Sequence, residues 1–114
     1  MDVRVFPYRT DNYGFIAESD DGFIAIDAGD DASYLSQGLP IHHIFITHHH
    51  DDHTSHLGDL KAETGATVWG PSGIAGVDEV IDDGAALPGG FSAVATPGHT
   101  LDHFAFAGPG VLFS

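Results

Sequence analysis

Short apolar runs bounded by Gly, Asp or Pro recur along the chain: Val3 to Phe6, Gly14 to Ala17, Phe23 to Ala28, Ile44 to Thr47, Thr67 to Trp69, Phe91 to Thr96, Phe104 to Ala107 and Val111 to Phe113. Each predicts a strand. The first three lie close enough together to pair as antiparallel hairpins, with Asp20-Asp21-Gly22 turning the second into the third. The stretch Ile41 to Thr47 differs from the others. Ile44, Phe45 and Ile46 are apolar in succession, which buries both faces, as in a central strand covered by helices. This strand ends abruptly in a polar cluster. Beyond it, Ser55 to Thr64 predicts a helix: Leu57 and Leu60 share a face, Thr54 or Ser55 can cap the start, and Gly65 suits the left-handed C-terminal position. A shorter helix over Asp31 to Gln37 and a helical turn over Pro71 to Ala75 are also expected. Strand, polar loop, helix is the local plan, and no internal repeat, linker or low-complexity segment interrupts it.

A length of 114 residues fits one domain with a modest apolar core, small for a complete two-layer enzyme. The final residues, Val111 to Ser114, read as a strand in mid-course, so the expectation is that 1–114 is one portion of a domain cut short at its C-terminal side. No apolar run approaches the roughly 18 residues of a membrane-spanning helix, and Met1 to Phe6 lack the basic and apolar regions of a signal peptide. A soluble, cytoplasmic protein without a membrane partner is expected. Three basic residues against seventeen acidic ones give a net charge of −14, which repels phosphate backbones and argues against a nucleic-acid partner. An acidic surface that maintains solubility is the simpler reading of that charge. With no cysteine, any transition-metal site must be built from His, Asp and Glu, and nine histidines are available.

Those histidines are not scattered. Thr47-His48-His49-His50-Asp51-Asp52-His53 contains His-x-His-x-Asp-His at the end of the buried strand. In extended backbone, residues i and i+2 project to one side, so His48 and His50 can offer imidazole nitrogens to one cation. As the chain curls toward the following helix, Asp52 and His53 can turn to a neighbouring position suited to a second borderline-soft ion. A second cluster, Thr96-Pro97-Gly98-His99-Thr100-Leu101-Asp102-His103, follows another apolar strand. Pro97 and Gly98 stop that strand and present His99 on a bent loop. His48, His50 and His99 together make a three-histidine site with an open fourth position, the arrangement catalytic zinc sites use.

These two motifs, in this order and at this separation, resemble those of the metallo-β-lactamase superfamily. The version Thr-His-His-His-x-Asp-His followed by Thr-Pro-Gly-His-Thr-x-x-His is similar to glyoxalase II (hydroxyacylglutathione hydrolase) in particular. The resemblance extends over nearly the whole chain, including Asp11-Asn12-Tyr13-Gly14-Phe15-Ile16 and Ala25-Ile26-Asp27-Ala28-Gly29. It implies an α/β fold, the αββα sandwich, of which this chain would be the N-terminal half. It also implies two zinc ions (iron or manganese in some members), one on His48, His50 and His99, the other on Asp52, His53 and further ligands. Asp52 would double as the catalytic carboxylate that orients the attacking hydroxide, and His103 would occupy a recurrent position that is not a ligand. The implied substrate is a glutathione thioester, S-lactoylglutathione. The family's bridging aspartate, its last histidine ligand and its helical C-terminal domain have no counterpart here. At most one tight metal site and impaired or absent thioesterase activity are therefore expected of this chain. Asp102 departs from the small residue common in the family and adds negative charge beside the site. Lactonase, phosphodiesterase or single-iron sulfur dioxygenase activity on the same fold, or metal binding without catalysis, are the competing readings. A second copy pairing along the terminal strand is a further expectation for partners.

The remaining candidates have plainer readings. His42 and His43 precede the buried strand and His49 points away from its neighbours, so these are surface groups or supports for ligands. His56 falls in the first turn of the expected helix and is read as a local hydrogen-bonding group. Asp27 has two readings, a carboxylate that orients a ligand histidine or an ordinary turn residue. Asp51 is expected to face solvent, and Trp69 and the phenylalanines to form core.

Overall fold

The computed structural model of the chain describes residues 2–8, 12–26, 38–46, 60–72, 76–95, 104–108 and 110–113. The first three apolar runs form the antiparallel meander expected of them. β1 (Asp2–Tyr8) pairs with β2 (Asn12–Ser19), and β2 with β3 (Gly22–Ile26). The turn at Asp20 and Asp21 closes tightly because Ser19 pairs with Gly22 in register, while the Ser19 hydroxyl donates to the Gly22 carbonyl at 2.8 Å.

From β3 onward the sheet becomes parallel. β4 (Ile41–Phe45) lies beside β3, β5 (Thr67–Gly70) beside β4, and the two-residue β6 (Glu79–Val80) beside β5. This gives a six-stranded sheet in the order β1-β2-β3-β4-β5-β6. β4 is thus central with parallel neighbours on both sides, and Ile44, Phe45 and Ile46 are all buried. Past its end, the Ile46 N–H still donates to the Trp69 carbonyl at 2.9 Å. A second, antiparallel sheet contains β7 (Ser92–Ala95), β8 (Phe104–Gly108) and β9 (Val111–Phe113) in that order.

Period-two alternation sorts the core into two clusters on opposite faces of the larger sheet. Ile16, Ala25, Ile44 and Ile46 face one way, against Leu60 of the helical residues 60–64. Ala17, Ile24, Ile26 and Phe45 face the other way, against Phe91 and against Ala93, Phe106 and Phe113 of the second sheet. Helix, sheet, sheet is therefore the layering of the described residues, three consecutive layers of an αββα sandwich.

The helix ends as the sequence requires. Gly65 sits at φ +68°, its N–H donates to the Lys61 carbonyl at 2.8 Å, and the Thr64 hydroxyl donates to the Leu60 carbonyl at 2.7 Å. The expected start of this helix, the short helix at Asp31 to Gln37 and most of the turn at Pro71 to Ala75 lie outside the described residues. Two elements had no sequence signal. β6 has both residues exposed and too little alternation to register, and Pro88–Gly90 forms a 3-10 turn.

Among the described residues no helix is long and apolar enough to cross a membrane.

Candidate metal centre

The side chains singled out for metal binding, His48, His50, Asp52, His53 and His99, lie outside the described residues, as do Asp27, His49, Asp51, His56, Asp102 and His103. Among the described residues there is no group of three or more metal-ligating side chains. The fold does, however, bring together the strands from which these segments spring. Ile26 and Phe45 are partners in parallel register, so the segments beginning at Asp27 and Thr47 leave adjacent strands, about 4.8 Å apart, at the same carboxyl end of the sheet. That end is where open parallel sheets hold their ligands. The segment 96–103 is bracketed by Ala95 and Phe104, which face each other across β7 and β8. Two residues along from Phe104, the Phe106 ring meets the Phe45 ring with centroids 5.0 Å apart, which joins the second sheet to the strand that carries the first motif.

Among the described residues, three carboxylates take part in backbone hydrogen bonding that the sequence did not disclose. Asp21 Oδ2 accepts the Gly89 N–H at 2.7 Å, tying the β2–β3 turn to the 3-10 turn. Asp78 Oδ2 accepts the Val68 N–H at 2.9 Å while its other oxygen pairs with the Lys61 ammonium, which anchors the helix after the first motif to β5. The Lys61 hydrogen bond, helped by that of Val68, holds the Asp78 carboxyl below its ordinary value. Asp83 Oδ1 accepts the Ala95 N–H at 2.9 Å. Asp21 and Asp83 each occupy the middle of an Asp-Asp-Gly tripeptide, Asp20-Asp21-Gly22 and Asp82-Asp83-Gly84. The sequence disclosed the turn at Asp20-Asp21-Gly22, but neither the one at Asp82-Asp83-Gly84 nor the partner of either carboxylate.

His42 is exposed, as expected of a surface group, whereas His43 is half-buried beside Trp69. The Trp69 Nε1–H donates to His43 Nδ1 at 3.2 Å, so Trp69 is a partly buried hydrogen-bond donor as well as a core residue. An imidazole that accepts at Nδ1 is neutral there, with its proton on Nε2. Burial pushes the His43 pKa below its ordinary value; the charge of Asp21 opposes this and that of His42 adds to it. The folded state thus disfavours the imidazolium. The stability contributed by the neutral ring is complete above the ordinary histidine pKa of about 6.5 and is lost as pH falls through the lowered folded value. Trp69 is the single tryptophan and reports this directly. Emission from folded protein should fall, with a midpoint below about 6.5, as the adjacent ring protonates. His43→Gln, which keeps an acceptor but cannot titrate, should flatten the curve. A midpoint at or above that pH in the wild-type chain would contradict this reading.

Residues 9–77 match the sequence model of the metallo-beta-lactamase superfamily. A hydroxyacylglutathione hydrolase from Chromohalobacter salexigens is 39% identical over 96% of this chain and 48% of its own length. One from Rhizobium johnstonii is 36% identical over 93% of this chain and 46% of its own length. Among solved structures, ETHE1 from Myxococcus xanthus superposes with a TM-score of 0.76 at 28% identity, covering 94% of this chain and 53% of that protein. A metallo-beta-lactamase from Cronobacter sakazakii, a HARLDQ motif protein, superposes with a TM-score of 0.68 at 26% identity over 82% of this chain and 52% of that protein. The chain spans about half the length of the curated relatives it matches.

Proposed function

Because this chain belongs to the metallo-β-lactamase superfamily, we propose that it forms the metal-binding, N-terminal portion of the catalytic domain of a hydrolase acting on glutathione thioesters such as S-lactoylglutathione. The observation that carries the proposal is the position of His-x-His-x-Asp-His directly after β4, a strand buried on both faces, in a chain 39% identical to a hydroxyacylglutathione hydrolase.

The donor set suits a divalent transition metal. Imidazoles and a carboxylate without thiolates match zinc first, with iron or manganese also accommodated. His48, His50 and His99 would hold one ion, and Asp52 and His53 would contribute to a second. A bound metal of this kind lowers the pKa of water to about 7 and polarises a carbonyl as a Lewis acid. The chain's own part is to place these donors and to orient the nucleophile. Asp52 performs the second task by accepting a hydrogen bond from the attacking water. The leaving thiolate has a pKa near that of free cysteine, about 8.5, so cleavage of a thioester places little demand on a general acid. The cytoplasm, where glutathione conjugates occur, is the compartment this reading assigns.

Metal stoichiometry tests the ligand inventory. Three histidines can hold one zinc with an open position, whereas Asp52 and His53 alone are too few for a tight second ion. After gel filtration in metal-free buffer, elemental analysis should find at most about one zinc per chain. Two retained zinc ions per chain would contradict the assignment. Turnover of a lactone or phosphodiester in preference to a thioester, or bound iron with oxygen uptake, would replace the thioesterase reading with another chemistry on the same fold.

A further inference from the structure

We propose that Asp83 is a positioning residue for this metal centre: by accepting the Ala95 N–H it fixes the end of β7 from which the Thr96-Pro97-Gly98-His99 segment departs. The inference rests on the reading of His99 as a ligand, and it adds a residue that neither motif contains.

The backbone of residues 82–87 runs beside β7 on the edge away from β8. Ala86 bridges Ser92 in antiparallel register, the Ala93 N–H donates to the Ala85 carbonyl at 2.9 Å, and the Gly84 N–H donates to the Ala93 carbonyl at 2.7 Å. Beyond that bridge the register shifts, because the Gly84 N–H and not that of Ala85 reaches the Ala93 carbonyl. There the backbone ladder stops. The Ala85 N–H bonds back to the Asp82 carbonyl at 3.0 Å, closing a turn over 82–85 in which Gly84 takes φ +83°, a conformation that side-chain-bearing residues rarely adopt. The turn carries the main chain away from β7. The Asp83 side chain then supplies at 2.9 Å the acceptor that a continuing strand would have supplied from its backbone.

Ala95 is the last residue of β7 and is exposed, so without Asp83 its N–H would bond to water and the strand end would be free to fray. Such fraying would act on the metal through the chain rather than by contact. His99 is the one ligand of the first ion that comes from the second sheet, and in the proposed site it must meet His48 and His50, which come from the first. Variation in where the second sheet releases the chain therefore spreads the positions open to His99 and lowers the fraction competent to bind. Outer contributions to metal sites of this general kind are worth about 10- to 100-fold in affinity.

The test compares zinc affinity, by competition with a chromophoric chelator, and amide hydrogen exchange at Ala95, across the wild-type chain, Asp83→Ala, Asp83→Asn and His50→Ala. Asp83→Ala should weaken zinc binding about tenfold and remove protection at Ala95 in the metal-free protein. Asp83→Asn keeps Oδ1 and should restore both. A tenfold loss in Asp83→Asn as well would assign the effect to charge and overturn positioning, as would Asp83→Ala binding zinc like wild type. A merely structural role would lower the melting temperature without moving the affinity measured far below it. His50→Ala separates the two levels: if it binds zinc as tightly as wild type, or if the wild-type chain binds none, the metal reading itself fails and takes this inference with it. If His50→Ala loses zinc and Asp83→Ala does not, only the inference about Asp83 fails.

Discussion

Zinc affinity should fall by more than about 100-fold when His50 is replaced by alanine, beyond the range seen when a supporting group outside the ligand set is lost. The reason lies in the geometry of a strand end. β4 is fixed on both edges by parallel neighbours and on both faces by core, with Ile44 and Phe45 fully buried. The proposed site takes His48 and His50, spaced as i and i+2 beyond that anchor, as two ligands of one ion. Removing either leaves two of three imidazoles. Because apparent zinc free energies of about 10–16 kcal/mol come from the complete ligand set, the loss of one member is severe. His49→Ala provides the contrast, since the proposed site gives this histidine no ligand role and its removal should leave affinity within about twofold. Wherever S-lactoylglutathione turnover is measured, His50→Ala should abolish it and His49→Ala should not. Equal zinc affinities for wild type and His50→Ala would overturn the ligand assignment, and equal losses in both variants would show that the loop as a whole, not the i and i+2 pattern, carries the site.

How far the sequence discloses this fold depends on the range over which each element is determined. The meander was legible because turn residues and alternation act within a few positions, as at Ser19 to Gly22. β4 was legible because three successive apolar residues bounded by polar ones mark a short strand buried on both faces. β6 was not, since its two exposed residues are placed by distant bonds: the Asp78 N–H to the Val68 carbonyl at 2.9 Å and the Ile81 N–H to the Gly70 carbonyl at 2.9 Å. The carboxylates tell the same story. A net charge of −14 reads as a solvating surface, and nothing local marks Asp21, Asp78 or Asp83 as a partner for Gly89, Val68 or Ala95. As for the candidate site, its proposed ligands rest on the two motifs alone, because their placement falls in segments outside the described residues. What the fold adds is the common origin of two of those segments at Ile26 and Phe45 and the contact of their sheet with β8.

That contact makes Phe45 the position where a single substitution should cost the most stability. Its ring lies 5.0 Å from that of Phe106 and 5.5 Å from that of Phe91, edge-on to the latter at 83°, so one side chain of the larger sheet touches two from the other side of the interface. Truncating a buried phenylalanine to alanine costs about 3–5 kcal/mol, from lost transfer energy and from the cavity left behind. Neighbours cannot easily collapse into this space, because Phe91 also packs on Phe113 at 6.1 Å, and Phe113 on Phe15 at 5.4 Å. Against a total stability of about 5–15 kcal/mol for a typical domain, Phe45→Ala therefore removes a large share and should lower the melting temperature by roughly 12–20 °C, or leave no folded state. Phe45→Leu retains most of the volume and should cost less than about 1.5 kcal/mol. Leu112→Ala, at a position 67% exposed on β9, should fall within about 0.5 kcal/mol of wild type. The same series discriminates between two ways of losing zinc. Phe45→Ala should lose it together with the circular dichroism of the fold, whereas His50→Ala should lose it with the fold intact. A Phe45→Ala chain as stable as Phe45→Leu would mean that the two sheets are held together elsewhere than at this ring.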